Sequence, residues 1–212
     1  NELQLLIEAE SPDVLLLQEA RNIDFTKRVS SEYTTNCKGG LCIVSKFDFD
    51  VTGELNRKLI NGWGDFAMLY KVNTPEGSFS LANVHMETPR SVIMGFIHGV
   101  WDQGLANKTD NNRELEASLI TSWRKAQSNV IIAGDFNMLE DENTFRKYFS
   151  SMNNAIGQAG VGFNDTKKTS WHGARIDHVL FSDGFVLEKA NVLSSILGDH
   201  QPVLSVLRFK KL

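Results

Sequence analysis

The chain has 212 residues, 42% hydrophobic and 23% charged, with 22 Lys and Arg against 26 Asp and Glu for a net charge of −4. A chain of this kind can bury roughly 70% of its unfolded surface in one large domain, which excludes wholesale disorder and collagen-like repeats. The negative balance excludes holding nucleic acid by a bulk basic field, although a metal site can supply positive charge locally. Residues 2–10 set Leu3, Leu5, Leu6, Ile7 and Ala9 among polar neighbours and predict a short helix, which Ser11-Pro12 stops. Val14 to Leu17 are apolar without alternation and predict a strand buried on both faces. Strands are predicted at 41–46, 66–72 and 78–85. Residues 86–110 have no clear period and read as a long excursion. Its apolar residues, among them Ile93, Phe96, Ile97 and Trp101, are expected to pack internally, with docking on a membrane or partner as the alternative. An amphipathic helix follows at 112–126, with Leu115, Leu119, Ile120 and Trp123 on one side. Val130 to Ala133 read as a buried strand, 141–151 as a helix and 155–170 as a glycine-rich loop. Residues 175–182, 185–196 and 202–209 read as closing strands. Strands outnumber helices and several neighbours can pair as hairpins, which favours mixed sheets with helices outside over a purely parallel sheet.

Cys37 and Cys42 flank Lys38-Gly39-Gly40-Leu41. Two glycines allow a tight turn, so a disulfide across a hairpin is open to them, while a reducing compartment would favour two free, partly buried thiols; the sequence leaves their redox state open. No apolar run approaches the roughly 18 residues of a membrane helix. Asn1-Glu2-Leu3-Gln4 is not a signal peptide. The compartment stays open, cytoplasmic or exported behind an upstream segment.

The informative pattern is where polar residues fall. Leu15-Leu16-Leu17-Gln18-Glu19 ends in a carboxylate, and Asn83-Val84-His85 ends in an imidazole with Asn83 on its face. Asp135 and Asn137 share a face after Gly134, as do Arg175 and Asp177, and Asp199-His200 sits just before the last strand. Singly, each fits a solvated strand end or a capped turn. Jointly, polar groups at the tips of apolar strands can converge at one end of a sheet and form a site on rigid supports. Glu19, Asp135, Asn137 and Asp199 are hard oxygen donors, which suit Mg²⁺ or Mn²⁺, and zinc spacings are absent. With two histidines and arginines, the set suits phosphoryl chemistry.

Taken together, Pro12-Asp13-Val14-Leu15-Leu16-Leu17-Gln18-Glu19, Asn83-Val84-His85, Gly134-Asp135-Phe136-Asn137, Arg175-Ile176-Asp177-His178 and Asp199-His200-Gln201-Pro202 resemble the motifs of the endonuclease/exonuclease/phosphatase, deoxyribonuclease-I-like family. The resemblance runs from about Ser11 to Arg208. It implies an α/β (α+β) fold, a four-layer sandwich of two central mixed sheets flanked by helices. It also implies a Mg²⁺-dependent (or Mn²⁺-dependent) hydrolase of phosphate esters. By position, Glu19 would hold the metal with Asp199 beside it. Asp135 and Asn137 would orient the attacking water or the phosphate. His200, paired with Asp177, would act as general base or phosphate-stabilising acid, and His85 would contact the phosphate or the leaving oxygen. Asp65 stands where some members carry an acid that orients the first histidine, although a solvated turn is the expectation.

The family begins with a strand ending in an asparagine, whereas this chain starts at what looks like the following helix, and Asn1 is not placed to replace that residue. Residues 1–212 are therefore expected to be a single, N-terminally incomplete domain, monomeric. Gly198 stands where serine is usual. Arg90 and Arg175 are candidate phosphate ligands, with Arg113 behind them. Trp63, Trp101 and Trp171 are expected to be buried loop anchors, His178 to face the packed side, and His98 and His172 have no assigned partner. The leading reading is a metal-dependent phosphodiesterase or nuclease acting on a phosphate-ester substrate, nucleic acid included. The alternatives are an inositol-phosphate phosphatase, a sphingomyelinase-like lipid hydrolase, or a non-catalytic binding module.

Overall fold

The structure, a computed structural model, describes residues 2–21, 29–159, 164–168, 173–194 and 198–211. Asn1, Trp171 and His172 lie outside the described residues. Helix α1 (Glu2–Glu10) leads into β1 (Val14–Leu17), followed by the hairpin of β2 (Thr34–Lys38) and β3 (Leu41–Ser45). Strand β4 (Asp48–Asn56) passes through a 3-10 turn at Arg57–Ile60 to β5 (Asp65–Thr74) and β6 (Gly77–His85). Helices α2 (Arg90–Ile97) and α3 (Gln103–Lys125) carry the chain to β7 (Val130–Asp135). Then come α4 (Asn143–Phe149), β8 (Asn153–Asn154), α5 (Ala155–Ala159), β9 (Lys167–Lys168), β10 (Gly173–Ala174) and β11 (Asp177–Phe181). Strands β12 (Phe185–Val192) and β13 (Val203–Phe209) close the fold.

Strands β4-β5-β6-β7-β11-β8 form a six-stranded sheet. Its β6–β7 pair is parallel and the others are antiparallel. A parallel pair needs a long crossover, and α2 with α3 supplies it. A three-stranded sheet, β1-β3-β2, and the β12-β13 hairpin cover one face of the large sheet. Leu41 and Ile43 pack there on Met68, Tyr70 and Leu81, while Phe185 and Ala190 pack beside Phe79 and Ile131. Helices α3 and α4 cover the other face, with Ile120, Phe145 and Phe149 on Val84, Ile132 and Leu180. Helix α1 covers the outside of the small sheet through Leu3 and Ile7. The result is the four-layer α/β sandwich.

This layering explains the unbroken apolar run of β1. Val14 and Leu16 face the six-stranded sheet, while Leu15 and Leu17 face the cluster under α1. Buried Asn83 ties the two sheets together. Its Nδ2 donates to the carbonyls of Leu17 (3.2 Å) and Cys42 (3.0 Å), and its Oδ1 accepts from Gln18 Nε2 at 2.7 Å. A buried amide with its groups satisfied fixes one alignment of the sheets, because any slip would orphan them.

Several expectations of the local structure are corrected. The excursion at 86–110 is two helices, of which α3 starts nine residues before the predicted 112. Its first turns, Gln103-Gly104-Leu105-Ala106-Asn107-Lys108, are largely exposed and so lack an apolar stripe; the Asp102 side chain caps them by accepting from Leu105 N–H at 2.9 Å. The helix over 141–151 is shorter, Asn143–Phe149, the loop expected over 155–170 opens with helix α5, and the strand expected from 175 begins only at Asp177. Cys37 and Cys42, whose state the sequence left open, form a disulfide. They are direct cross-strand partners in the β2–β3 hairpin, with Cα atoms 4.2 Å apart.

Candidate active site

Strand register assembles the centre of the site. In the parallel β6–β7 pair His85 stands opposite Asp135, and in the antiparallel β7–β11 pair Asp135 stands opposite Asp177. Three polar residues thus lie abreast at one sheet end. Gly134 makes this register possible: at φ 137° its Cα lies so close to β6 that a Cβ would meet the Val84 carbonyl oxygen at 2.1 Å. His200 arrives from the far end of the chain. It pairs with Lys167 in an isolated antiparallel bridge, and Gln201 N–H donates to Thr166 O at 2.5 Å.

His200 Nδ1 lies 2.8 and 3.1 Å from the two Asp177 carboxylate oxygens. Asp177 is itself aimed by fully buried Thr166, whose hydroxyl accepts from the backbone N–H of Ile176 (3.1 Å) and Asp177 (3.0 Å). The other ring nitrogen, Nε2, lies 4.0 Å from Asp135 and 2.8 Å from Lys167 Nζ. Burial by itself would lower the His200 pKa; the hydrogen bond and charge of Asp177, with Asp135, outweigh it and raise the value above the ordinary one. Burial and the neighbouring Asp177 charge push Asp135 well above the usual carboxylate range.

Asp135 and Asn137 form a closed unit. Asp135 Oδ1 accepts from Asn137 N–H at 2.8 Å, and Oδ2 accepts from Asn137 Nδ2 at 3.1 Å. Nδ2 also donates to Met86 O at 2.9 Å. Asn137 sits at φ 50°, a conformation asparagine tolerates better than most residues. Arg113 donates to its carbonyl at 2.7 Å and to Glu142 at 2.7 Å. Buried Arg113 is therefore a brace of this loop and not a phosphate ligand exposed to solvent.

Glu19 also has a positive φ, 53°, in the turn leaving β1. Its side chain is 80% exposed, and Oε1 lies 3.6 Å from His85 Nε2. The same His85 nitrogen lies 3.7 Å from Asp135 Oδ2. Burial lowers the pKa of His85, with Arg57 adding to the effect and Glu19 opposing it. Asp199 lies at the exposed edge of the site: its Oδ1 is 4.0 Å from His200 Nε2, and its Oδ2 accepts from Lys167 at 2.9 Å, a bond that holds its pKa down. Asp135, Asp177 and His200 offer ligand atoms within 4.8 Å of one another, a group able to hold a metal ion.

Other expected residues go elsewhere. Arg175 precedes β11 and donates to Glu140 at 2.5 Å, so it does not share a strand face with Asp177. Arg90 is exposed at the first residue of α2. Asp65 accepts from Asn56 at 2.5 Å rather than orienting His85. Trp63 and Trp101 are 87% and 56% exposed, and the apolar residues of α2 stand out with them, so the expected internal packing is not found. His98 ends α2 as its cap.

Sequence reasoning missed Lys167, Thr166 and a buried ion pair. Arg57 donates to Glu116 at 2.7 Å and to the His85 carbonyl at 2.8 Å, while Glu116 accepts from Glu87 N–H at 2.6 Å. The pair clamps the chain as it leaves β6. Burial pushes Glu116 up to about 7 in spite of Arg57. An Arg and a Glu 59 residues apart leave no local signal of such a contact.

His178 faces the packed side. Its Nε2 donates to Met138 O at 2.9 Å, and Nδ1 accepts from Asn154 Nδ2 at 3.1 Å, against the rings of Phe136 and Phe145. Burial pushes its pKa down to about 4. A depressed histidine binds protons more readily unfolded than folded, so its contribution is complete above about 6.5 and is lost as pH falls towards 4. That contribution is on the order of 3 kcal/mol. Urea unfolding between pH 7 and 4 is therefore expected to show a steeper loss for the native chain than for His178→Gln; equal slopes would overturn this.

A family model described as Endonuclease/Exonuclease/phosphatase family matches residues 1–200. Among solved structures, the chain is similar to the Neisseria 3′ phosphatase NExo bound to a product DNA hairpin: TM-score 0.73, 17% identity, 99% of this chain and 93% of that one. It is similar to D. rerio TDP2 complexed with a single-strand DNA product: TM-score 0.73, 13% identity, 98% and 92% covered. It is also similar to a mannosyl-6-phosphatase of Bacteroides thetaiotaomicron VPI-5482: TM-score 0.69, 17% identity, 98% and 89% covered. No curated protein matches significantly.

Proposed function

The chain belongs to the endonuclease/exonuclease/phosphatase family, and from that premise we propose that it is a divalent-metal-dependent phosphodiesterase or nuclease worked by an Asp177–His200 pair. The observation that carries the reading is the hydrogen bond of His200 Nδ1 to Asp177 beside the buried Asp135. Asp177 holds the ring with Nδ1 protonated, which leaves Nε2 to take a proton from the attacking water and Asp177 to stabilise the imidazolium. Uncharged His85 contacts the phosphate or leaving oxygen. Asn137 keeps Asp135 in place.

The donor set fits a hard cation. Burial, and after it the neighbouring Asp177 charge, hold Asp135 above its usual range, and a divalent ion would offset both by favouring the charged carboxylates. Glu19 and Asp135 each bring an oxygen to the same His85 nitrogen, Nε2, at 3.6 and 3.7 Å. They are our assigned ligands for Mg²⁺ or Mn²⁺, with Asp199 left to Lys167. Bound there, the ion supplies positive charge against the charge building on the phosphate.

The test is hydrolysis of bis-p-nitrophenyl phosphate and nicking of plasmid DNA with Mg²⁺, with Mn²⁺ and with EDTA. Turnover is expected with metal and none with EDTA. Glu19→Gln should raise the metal concentration for half-maximal rate roughly 10-fold, as loss of one ligand carboxylate would. Turnover that survives EDTA, or none on either substrate, sinks the reading. A second reading is favoured by the large exposed apolar residues, among them Trp63 (87% exposed), Phe96 (70%) and Ile97 (62%). An apolar surface of this kind suits a phosphate ester carried on a lipid, and release of phosphocholine from sphingomyelin vesicles, without DNA nicking, would select it. An inositol-phosphate phosphatase would instead release phosphate from soluble inositol phosphates.

A further inference from the structure

We propose that Lys167 is a substrate-binding residue that grips a phosphate oxygen and gives the phosphodiesterase site a second capacity, for phosphomonoesters. The proposal rests on the phosphoesterase reading of the site. Lys167 lies on β9 and is brought to His200 by the isolated bridge between the two residues. Its ammonium touches Asp199 Oδ2 at 2.9 Å and His200 Nε2 at 2.8 Å. That is the ring nitrogen opposite Asp177, the one that must face the reacting oxygen. The ammonium thus stands where substrate arrives, and its side chain is 27% exposed.

The contact with His200 is a weak one for a cation to keep. It is an ordinary hydrogen bond while the ring is neutral and becomes repulsive once Nε2 is protonated, whereas a phosphate oxygen offers a charge-assisted bond. When phosphate arrives, Lys167 exchanges His200 for that oxygen and keeps Asp199 as its anchor. The exchange also frees Nε2 for the water. The neighbouring arginines do not compete for the role. Arg57 is engaged by Glu116 and the His85 carbonyl, Arg113 by Glu142 and the Asn137 carbonyl, and Arg175 by Glu140. A monoester carries one more negative charge than a diester near neutral pH, and a fixed ammonium in direct contact favours the more highly charged ligand.

The experiment compares the native chain with Lys167→Met, Lys167→Gln and Lys167→Arg, with unfolding midpoints as a check on folding. KM and kcat are measured on p-nitrophenyl phosphate and bis-p-nitrophenyl phosphate with Mg²⁺, and inorganic phosphate binding is measured by calorimetry. In the Met and Gln variants, KM for the monoester and Kd for phosphate should rise roughly 10- to 100-fold, the worth of one hydrogen bond to a charged group. The diester KM should move much less, and Arg should restore most of the loss. Parallel losses on both esters, or a fall in kcat with KM and phosphate affinity unchanged, overturn the proposal. If the native chain hydrolyses neither ester, the phosphoesterase reading fails separately. Phosphate binding that still depends on Lys167 would then support the grip, and phosphate binding that is absent or indifferent to Lys167 would overturn it.

Discussion

Replacing Asp177 with asparagine is expected to lower kcat/KM on a phosphodiester by roughly 10³- to 10⁴-fold with little change in fold, the scale seen when a base loses its orienting carboxylate. The reason is the direction of one proton. Both Asp177 oxygens face His200 Nδ1, at 2.8 and 3.1 Å, and Thr166 fixes the backbone behind them. An asparagine turned to donate there forces Nδ1 to accept, which moves the ring proton to Nε2 and removes the base. An asparagine turned to accept keeps the tautomer but loses the charge that stabilises the imidazolium. Either way, His200→Ala should cost about as much, and the double variant little more, because the pair acts as one unit. Initial rates for the three variants, with circular dichroism as a control on folding, check this. Losses that multiply would show that Asp177 and His200 act independently.

Gly134→Ala is expected to be the most damaging single methyl group in the chain. Its Cβ would stand 2.1 Å from the Val84 carbonyl oxygen and 3.0 Å from both Val84 N and Gln18 Nε2, on a backbone at φ 137°. The first contact is with backbone in a central parallel pair, so no side chain can swing aside. Strain at such a φ costs about 1–3 kcal/mol and overpacking a similar amount, for a total of roughly 4 kcal/mol. In a chain of this size that corresponds to a fall in Tm of roughly 10 °C. Activity should fall further than stability, because the strand separation that Gly134 allows is what sets His85, Asp135 and Asp177 abreast. Gly64→Ala is the control: its φ is 83°, but nothing lies within 4 Å of the added Cβ. Similar unfolding midpoints for the two variants would refute the argument.

The strands that build the centre were readable because each is short, apolar and terminated by a polar residue. Period-two alternation then placed Asn83 with His85 and Asp135 with Asn137 without knowledge of the partner strands. Edge strand β4, Asp48–Asn56, left no such trace: most of its residues are exposed or half-buried, and its sequence mixes acids with apolar residues. Helix α2 was missed for the opposite reason, since its residues are apolar yet none is buried, and periodicity detects only a face that is covered. The disulfide lay between these cases. The glycine turn made it possible, and only the register of β2 on β3 set Cys37 opposite Cys42.

By itself, the sequence determined mixed sheets with helices outside and the identity of the carboxylates, amide and imidazoles at the strand tips, because both follow from local pattern; the four layers were only what the family resemblance implied. Only the tertiary structure decided which of them meet and what holds them. Register set His85, Asp135 and Asp177 side by side, and the bridge from β9 brought Lys167 to His200 across 33 residues. The same packing turned Arg113 and Arg175 away to Glu142 and Glu140, and set Asp199 on Lys167. The physical reason is that a charged side chain is satisfied by whichever opposite charge the fold carries to it, and neither its type nor its place in the chain encodes that partner.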